Sequence, residues 1–376
     1  MYDLVIKNGN VIDPQCQRFE TRNLAVKDGK IVPYNADMPA KEILDAGGGY
    51  VSPGFVEFHA HVYQGSSYGM NPDLLFPYGI TTVVDQGTTG YINFEDFYHE
   101  SELRTMKIKS FINIFPIGQP GGNIPELLDE EILRLDLLEK TIEKYKRHIS
   151  GIKIKFSKNT VGNFGIAPLQ KALAFADQMN LPLCVHTTNP PIDTEELVSL
   201  LRPGDIYCHA YQGHGQTILS NAGSVKEAFW KAKKRGVIID VANGRLNFDY
   251  KIAIPALKEK FLPDIIATDL TKGSFTDIQM PMARNLPFVM SKYLNLGMSL
   301  EDILAAVTIN PLRILSDNKL DIGALSIGSD ADICVFDVLP SEKYFFDANK
   351  EKRRGTQYIV PRATIVNGVL TYLKDS

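Results

Sequence analysis

The 376-residue chain predicts an α/β fold, a (β/α)8 TIM barrel with a small β-sandwich domain formed by both termini. Three observations lead there. Strand-like apolar runs alternate with helical stretches through the middle, hairpin patterns crowd both ends, and histidines collect at strand ends. An apolar share of 44%, a charged share of 22% and a net charge of -4 describe a globular chain without the basic face that nucleic acid requires.

At the amino end, Leu4, Val5 and Ile6 lead into Asn8-Gly9, and Val11-Ile12 follow. The pattern recurs around Asp28-Gly29. Such a dipeptide between apolar runs signals a hairpin. At the other end, 331–338 and 363–373 are strand-like, and Asn367-Gly368 offers another turn. One sheet domain built from residues 1–53 and 319–376 is expected, with 54–318 inserted as the barrel.

Within the insert, eight strands are predicted at 54–61, 81–87, 110–116, 151–156, 181–186, 205–210, 236–242 and 264–268. Helical stretches lie between many of them, as at 130–147, 168–180 and 224–236. Alternating β and α units imply a parallel sheet, and about 265 residues suit a closed barrel of eight units. A doubly wound open sheet competes, but no glycine-rich phosphate loop follows the first strand. A last helix shows Leu300, Ile303, Leu304 and Val307 on one face, with Ser299 and Asp302 as a capping pair and Pro311 as its stop.

No apolar run approaches the roughly 18 residues of a membrane helix, and no signal-peptide core opens the chain. Cys16, Cys184, Cys208 and Cys334 lie far apart without a CxxC pair, so buried free thiols in the cytoplasm are expected.

Four of the seven histidines fall on predicted barrel strands. His59 and His61, two apart, share one side of the first strand. His186 ends the fifth, His209 the sixth, and Asp269 follows the eighth. Any one alone would pass for a core histidine or a helix cap. Together they occupy the strand ends where barrel active sites assemble, and imidazoles with a carboxylate are ordinary zinc ligands. Cys184 is expected to face the barrel interior, and Cys208, beside His209, to face outward. Lys153 lies mid-strand in an apolar run, which is unfavourable for an ammonium unless paired or modified. A neutral lysine amine can add carbon dioxide to give an anionic carbamate able to bridge two metals. Lys155 shares its face, and spacing does not choose between them.

The segments SPGFVEFHAHV, GITTVVDQG, GIKIKFS, LPLCVH, GDIYCHAYQG, IIATDL and AVTINPLRIL, with the later IGALSIGSDADICVFD, resemble the amidohydrolase superfamily over essentially the whole chain. The resemblance is to the subgroup with a carboxylated lysine between two metals, which includes dihydroorotases, hydantoinases, isoaspartyl dipeptidases and N-acyl-D-amino acid deacylases. Its deacetylase branch is the nearer match. The resemblance implies two Zn2+ ions: one on His59, His61 and Asp269, the other on His186 and His209, bridged by N6-carboxylysine. It favours Lys153, which follows the Gly151-Ile152 pair as the family's modified lysine usually follows Gly-apolar. Asn243 stands where this branch is expected to carry a histidine.

The implied activity is removal of an acetyl group from an ester or amide of a small α-substituted carboxylic acid. The attacking group would be a metal-bridging hydroxide, with Asp269 as the catalytic proton carrier. Hydrolysis of a cyclic amide, as in dihydroorotases or hydantoinases, is the second reading, and a non-catalytic scaffold the third. Lys155, His214, Asn243 and Arg284 are the candidate substrate contacts, with Gln216 on the same loop as His214. The expected partner is a small molecule rather than nucleic acid or membrane, and a homo-oligomer is compatible with the sequence.

Overall fold

The computed structural model describes residues 1–15, 18–121, 124, 126–129, 131–277, 282–315 and 324–375. Cys16 and the expected domain boundary at 318/319 lie outside the described residues.

The amino-terminal strands are β1 (Tyr2–Asp13), β2 (Arg18–Lys27), β3 (Lys30–Val32), β4 (Ala40–Asp45) and β5 (Tyr50–Pro53). Next come β6 (Phe55–Ala60), β7 (Ile80–Gln86), β8 (Lys107–Asn113), β9 (Ile149–Lys155), β10 (Leu183–His186), β11 (Ile206–Cys208) and β12 (Ile238–Asp240). The chain closes with β13 (Ile333–Phe346), β14 (Lys352–Val366) and β15 (Val369–Leu373).

Both termini build one sheet, in the order β15-β14-β13-β5-β1-β2-β3 with β4 added on β1. The ends meet where β13 pairs antiparallel with β5, from Ile333 opposite Pro53 to Phe336 opposite Tyr50. The strands form a single hydrogen-bonded sheet around an apolar cluster that includes Leu4, Val11, Val51, Ile333 and Ile365. Asp28-Gly29 and Asn367-Gly368 are the expected hairpin turns, with both residues at positive φ in each pair. Asn8-Gly9 is not a turn. Asn8 takes a φ of 56° inside β1, and the pairing with β2 shifts register between Ile6 and Gly9, so the strand bulges and continues.

Strands β6 to β12 form a second sheet, entirely parallel and in sequence order. Its strands are buried on both faces, which explains their near-continuous apolar sequences. Ile152, Ile154, Leu183, Val185 and Ile239 pack in the cluster shared with helix residues Leu169, Ala172 and Phe175. Residues of alternate parity, among them Phe111, Cys184, Ile206, Ala242 and Ile265, form a separate inner cluster. Gly151 is required there, because a Cβ would lie 2.2 Å from the Phe111 ring. Residues 264–270 form no regular strand, yet Ile265 bridges Asp240 of β12 and Leu270 bridges Ala60 of β6, both in parallel.

The predicted last helix spans Leu300–Val307, with the Ser299 side chain accepting from Asp302 N. Pro311 does not stop it. The helix ends at Thr308, and Pro311 sits in the first turn of the next helix, Ile309–Leu315, where its missing N–H leaves no bond unmade. Among the described residues no helix is long and apolar enough to cross a membrane.

One side chain fastens the two sheets. Lys292, on the helix Leu286–Asn295, is 1% exposed, and in its protonated form its Nζ donates to Met282 O (2.8 Å), Asn243 Oδ1 (3.0 Å) and Phe346 O of β13 (3.1 Å), three acceptors of which the neutral amine can serve two. It also lies 4.2 Å from the Phe248 ring centre. Burial lowers its pKa to about 7, with Asp347 opposing the shift. The unfolded chain holds this proton up to about pH 10.4. Between pH 7 and that point the unfolded state therefore binds more protons, and folding gains stability as pH rises. Lys292→Met lacks this linkage. The stability of wild type relative to the variant, measured by urea unfolding, is expected to rise by a few kcal/mol from pH 7 to about 10; a flat difference would refute the assignment.

Candidate metal centre

The mouth of the parallel sheet is a cavity of about 580 Å³ whose lining includes His59, His61, Lys155, His186, His214 and Asp269. A larger hollow, about 820 Å³, opens at the opposite end, around Pro182, Pro203 and Arg313, and no histidine lines it.

His59 is the hub of the mouth. Its Nδ1 lies 2.9 Å from Asp240 Oδ2, and its Nε2 lies 3.3 Å from Lys153 Nζ and 3.6 Å from Asp269 Oδ1. A carboxylate only accepts when ionised, so Nδ1 carries the proton and the Nε2 lone pair faces Lys153 and Asp269. His61 Nε2 lies 3.3 Å from the same Asp269 oxygen, while its Nδ1 contacts Thr88 Oγ1 at 2.8 Å. His209 Nδ1 donates to Ala242 O at 2.8 Å, and its buried Nε2 has no hydrogen-bond partner. His186 packs edge-on against His209, with ring centres 4.4 Å apart.

Burial holds His59 and His186 well below the usual histidine range, assisted by neighbouring positive groups, and lowers His209 to about 3. All three imidazoles are thus neutral, the state in which they bind metals. Burial pushes the Asp269 carboxyl up, and the His61 hydrogen bond opposes it, so that the group is held below its ordinary value. Two sets of donor atoms fall within 4.8 Å of one another: His59, His61 and Asp269, and His59, Cys208 and His209. An orphaned, buried Nε2 beside converging imidazoles and a carboxylate fits a divalent cation. His186 belongs to neither compact set.

Lys153 is fully buried, with Nζ 3.4 Å from Cys184 Sγ and 3.8 Å from Cys208 Sγ. Among the described residues no carboxylate forms an ion pair with it. Lys155, one turn of pleat further out, is paired with Glu126 at 2.8 Å on the cavity wall. The two lysines that spacing left equivalent are therefore in different surroundings.

Cys208 does not face outward. It ends β11 on the inner side, 3.4 Å from His59 Nδ1, and His209 then takes a φ of 64°, which breaks the alternation and turns both consecutive side chains inward. Two expected substrate contacts also lie elsewhere. Asn243 continues the outward parity of Ile239 and Val241, donating to Val241 O and to Tyr293 Oη and accepting from Lys292, all away from the mouth. Arg284 is exposed before the helix Leu286–Asn295, where its charge acts on Lys343 and Tyr358 of the terminal sheet. His214 does reach the cavity rim, on an exposed loop after β11.

Asp240 and Asn247 escaped the sequence reading. Asp240 is the one charge in the run VIIDVA, a signal of the same kind that singled out Lys153. Burial raises its carboxyl to about 6, with His209 and Lys153 opposing.

Comparison with known proteins agrees with this geometry. The model for the amidohydrolase family matches residues 50–369. The chain belongs to that family. It is 30% identical to a deacetylase of Agrobacterium fabrum, over 90% of this chain and 84% of the relative. A crystal structure of an adenine deaminase superposes with a TM-score of 0.90 at 29% identity, covering 100% of both chains. A crystal structure of a dihydroorotase gives 0.89 at 27% identity, covering 98% of this chain and 97% of the other.

In this amidohydrolase-family chain, Asp240 is placed to set the His59 tautomer. Asp240→Asn keeps the shape and removes the charge. Zinc affinity measured by chelator competition is expected to fall about 10- to 100-fold; unchanged affinity would show that the Asp240 charge is not needed to prepare His59.

Proposed function

We propose that the chain is a zinc-dependent deacetylase, removing an acetyl group from an ester or amide of a small α-substituted carboxylic acid in the cytoplasm. The observation that carries this reading is the convergence of His59, His61 and Asp269, with the unpartnered Nε2 of His209 and the buried Lys153 beside them. The similarity to a deacetylase across most of both chains supports the acetyl group as the part removed. Residues 264–270, bridged to both sheet edges, are read as the eighth strand of a closed (β/α)8 barrel. The described residues of the two ends, 1–53 and 324–375, whose strands form one sheet, are read as its companion β domain in place of the expected sandwich of two sheets.

His59, His61 and Asp269 would hold one Zn2+, and His186 and His209 the other, with N6-carboxylysine at Lys153 between them. When bound, two such cations supply an activated water near neutral pH and polarise the scissile carbonyl. Lys153 suits the modification. Burial works against an ammonium there while the charges of Asp240 and Asp269 work for it, and a carbamate would be matched by cations instead. Asp269 accepts the nucleophile's proton and passes it to the leaving oxygen or nitrogen. Lys155 lines the cavity and would share its charge between Glu126 and a substrate carboxylate, and His214 lies on the rim the substrate would pass.

A cyclic amide substrate is the second reading, favoured by the full-length likeness to a dihydroorotase structure. A screen of the zinc-loaded protein against N-acetyl-D-amino acids, O-acetyl hydroxy acids, dihydroorotate and hydantoins separates the two. Turnover of an acetylated acid is expected; turnover of cyclic amides alone would replace the deacetylase reading. With the active substrate, Asp269→Asn is expected to lower kcat by at least about 100-fold, within the usual range for a lost acid–base group. A metal-loaded variant with normal turnover would remove Asp269 from that role. Less than one equivalent of tightly held zinc in the purified protein would favour a non-catalytic scaffold.

A further inference from the structure

The outer oxygen of Asp269 is held by a turn that the proposed reaction does not yet use. Asn247 lies on the cavity wall, 7% exposed. Its Nδ2 donates to Asp269 Oδ2 at 2.8 Å, and its Oδ1 accepts from Thr188 Oγ1 at 2.7 Å. The amide orientation is fixed by chemistry: an ionised carboxylate can only accept, so Nδ2 must face Asp269 and the Thr188 hydroxyl must donate. Asp269 has a φ of 55°, and its Oδ1 faces His59 and His61.

The backbone is built for this contact. Gly244 N donates to Thr268 O at 2.8 Å and Asn247 N to Asn243 O at 3.1 Å, tying the turn to the residue before Asp269. Gly244 has a φ of 50°, and a Cβ there would lie 2.4 Å from Asp269 Oδ2 and 2.8 Å from Asn247 Nδ2. Glycine is what lets the turn close onto the carboxylate.

We infer that Asn247 is a positioning residue. It pins Oδ2 of Asp269, so that Oδ1 alone is presented to the His59–His61 side, and Thr188 locks the amide that does so. The inference rests on Asp269 being a metal ligand and proton carrier as proposed above. Without the Nδ2 donor the carboxylate is free to rotate, and both zinc affinity and proton transfer suffer while substrate binding does not.

The test compares wild type, Asn247→Ala and Thr188→Val, first by zinc titration against a chelator and then by kinetics on the substrate found in the screen. Asn247→Ala is expected to weaken zinc about 10- to 100-fold. At saturating zinc it should lower kcat with little change in KM. Thr188→Val, nearly the same shape, should shift both in the same direction by a smaller factor. Asn247→Gln, which keeps an amide donor, should recover part of the loss. Wild-type zinc affinity and kcat in Asn247→Ala would overturn the inference and leave the metal-centre reading standing. A rise in KM alone would also overturn it, by making Asn247 a substrate contact. Absence of zinc binding in wild type would remove the metal-centre reading itself, and this inference with it.

Discussion

The hydrogen bond between His59 and Asp240 is the contact on which the rest of the mouth depends. Both groups are buried, the imidazole at 1% exposure and the carboxylate at 0%, and neither would be tolerated there alone. Joined at 2.9 Å they satisfy one another, and the bond settles which imidazole nitrogen stays free. That nitrogen lies beside Lys153 and Asp269, and His59 is the residue common to the two compact donor sets. A polar layer beneath carries the same logic further. Glu57, raised to about 8 by burial, accepts from the Thr268 backbone and hydroxyl, linking β6 to the segment that bears Asp269. The apolar interior of the parallel sheet can hold these groups because each one satisfies the hydrogen bonding of another.

Regular strands would not by themselves have produced the arrangement. Alternation along β11 places Cys208 inward and His209 outward, whereas along 265–269 it already puts Asp269 on the inner parity of Ile265 and Ala267. His209 and Asp269 both adopt positive φ, at 64° and 55°, where non-glycine residues are unfavourable by roughly 1–3 kcal/mol. The neighbours hold them in place: the Ala242 carbonyl for His209, and Asn247 with Gly244 for Asp269. Backbone strain at both positions coincides with the residues that point into the cavity.

Much of this was legible in the sequence, and what was not has a common cause. The strand order, the joining of both termini and the gathering of His59, His61, His186, His209 and Asp269 follow from apolar period and from chemistry at strand ends. Cys208 was misplaced because strict alternation fails where a strand ends, and the left-handed residue after it bears no marker as plain as glycine. Asn8-Gly9 carries a turn's composition but lies where β1 can bulge and keep its pairing with β2. Asn243 was taken for a mouth residue because the resemblance puts a histidine at its position, yet its parity matches Val241, and Lys292, some 50 residues later, claims it from behind. Side-chain partners that distant leave no local pattern.

Lys292 and Asn247 show why the unread residues matter chemically. Asn243 and Asn247 sit at the two ends of one short turn. The first is gripped from outside by a buried lysine that also holds Phe346 of the terminal sheet, and the second grips Asp269 from above. A rigid connection therefore runs from the sheet built by both termini, through Lys292 and the turn, to one oxygen of a carboxylate in the mouth. Among the described residues the terminal sheet contributes no side chain to the cavity wall, yet it braces the turn that orients Asp269. Placing the brace outside the parallel sheet leaves the mouth itself lined by loops, which can change with substrate while the buried donor set stays fixed.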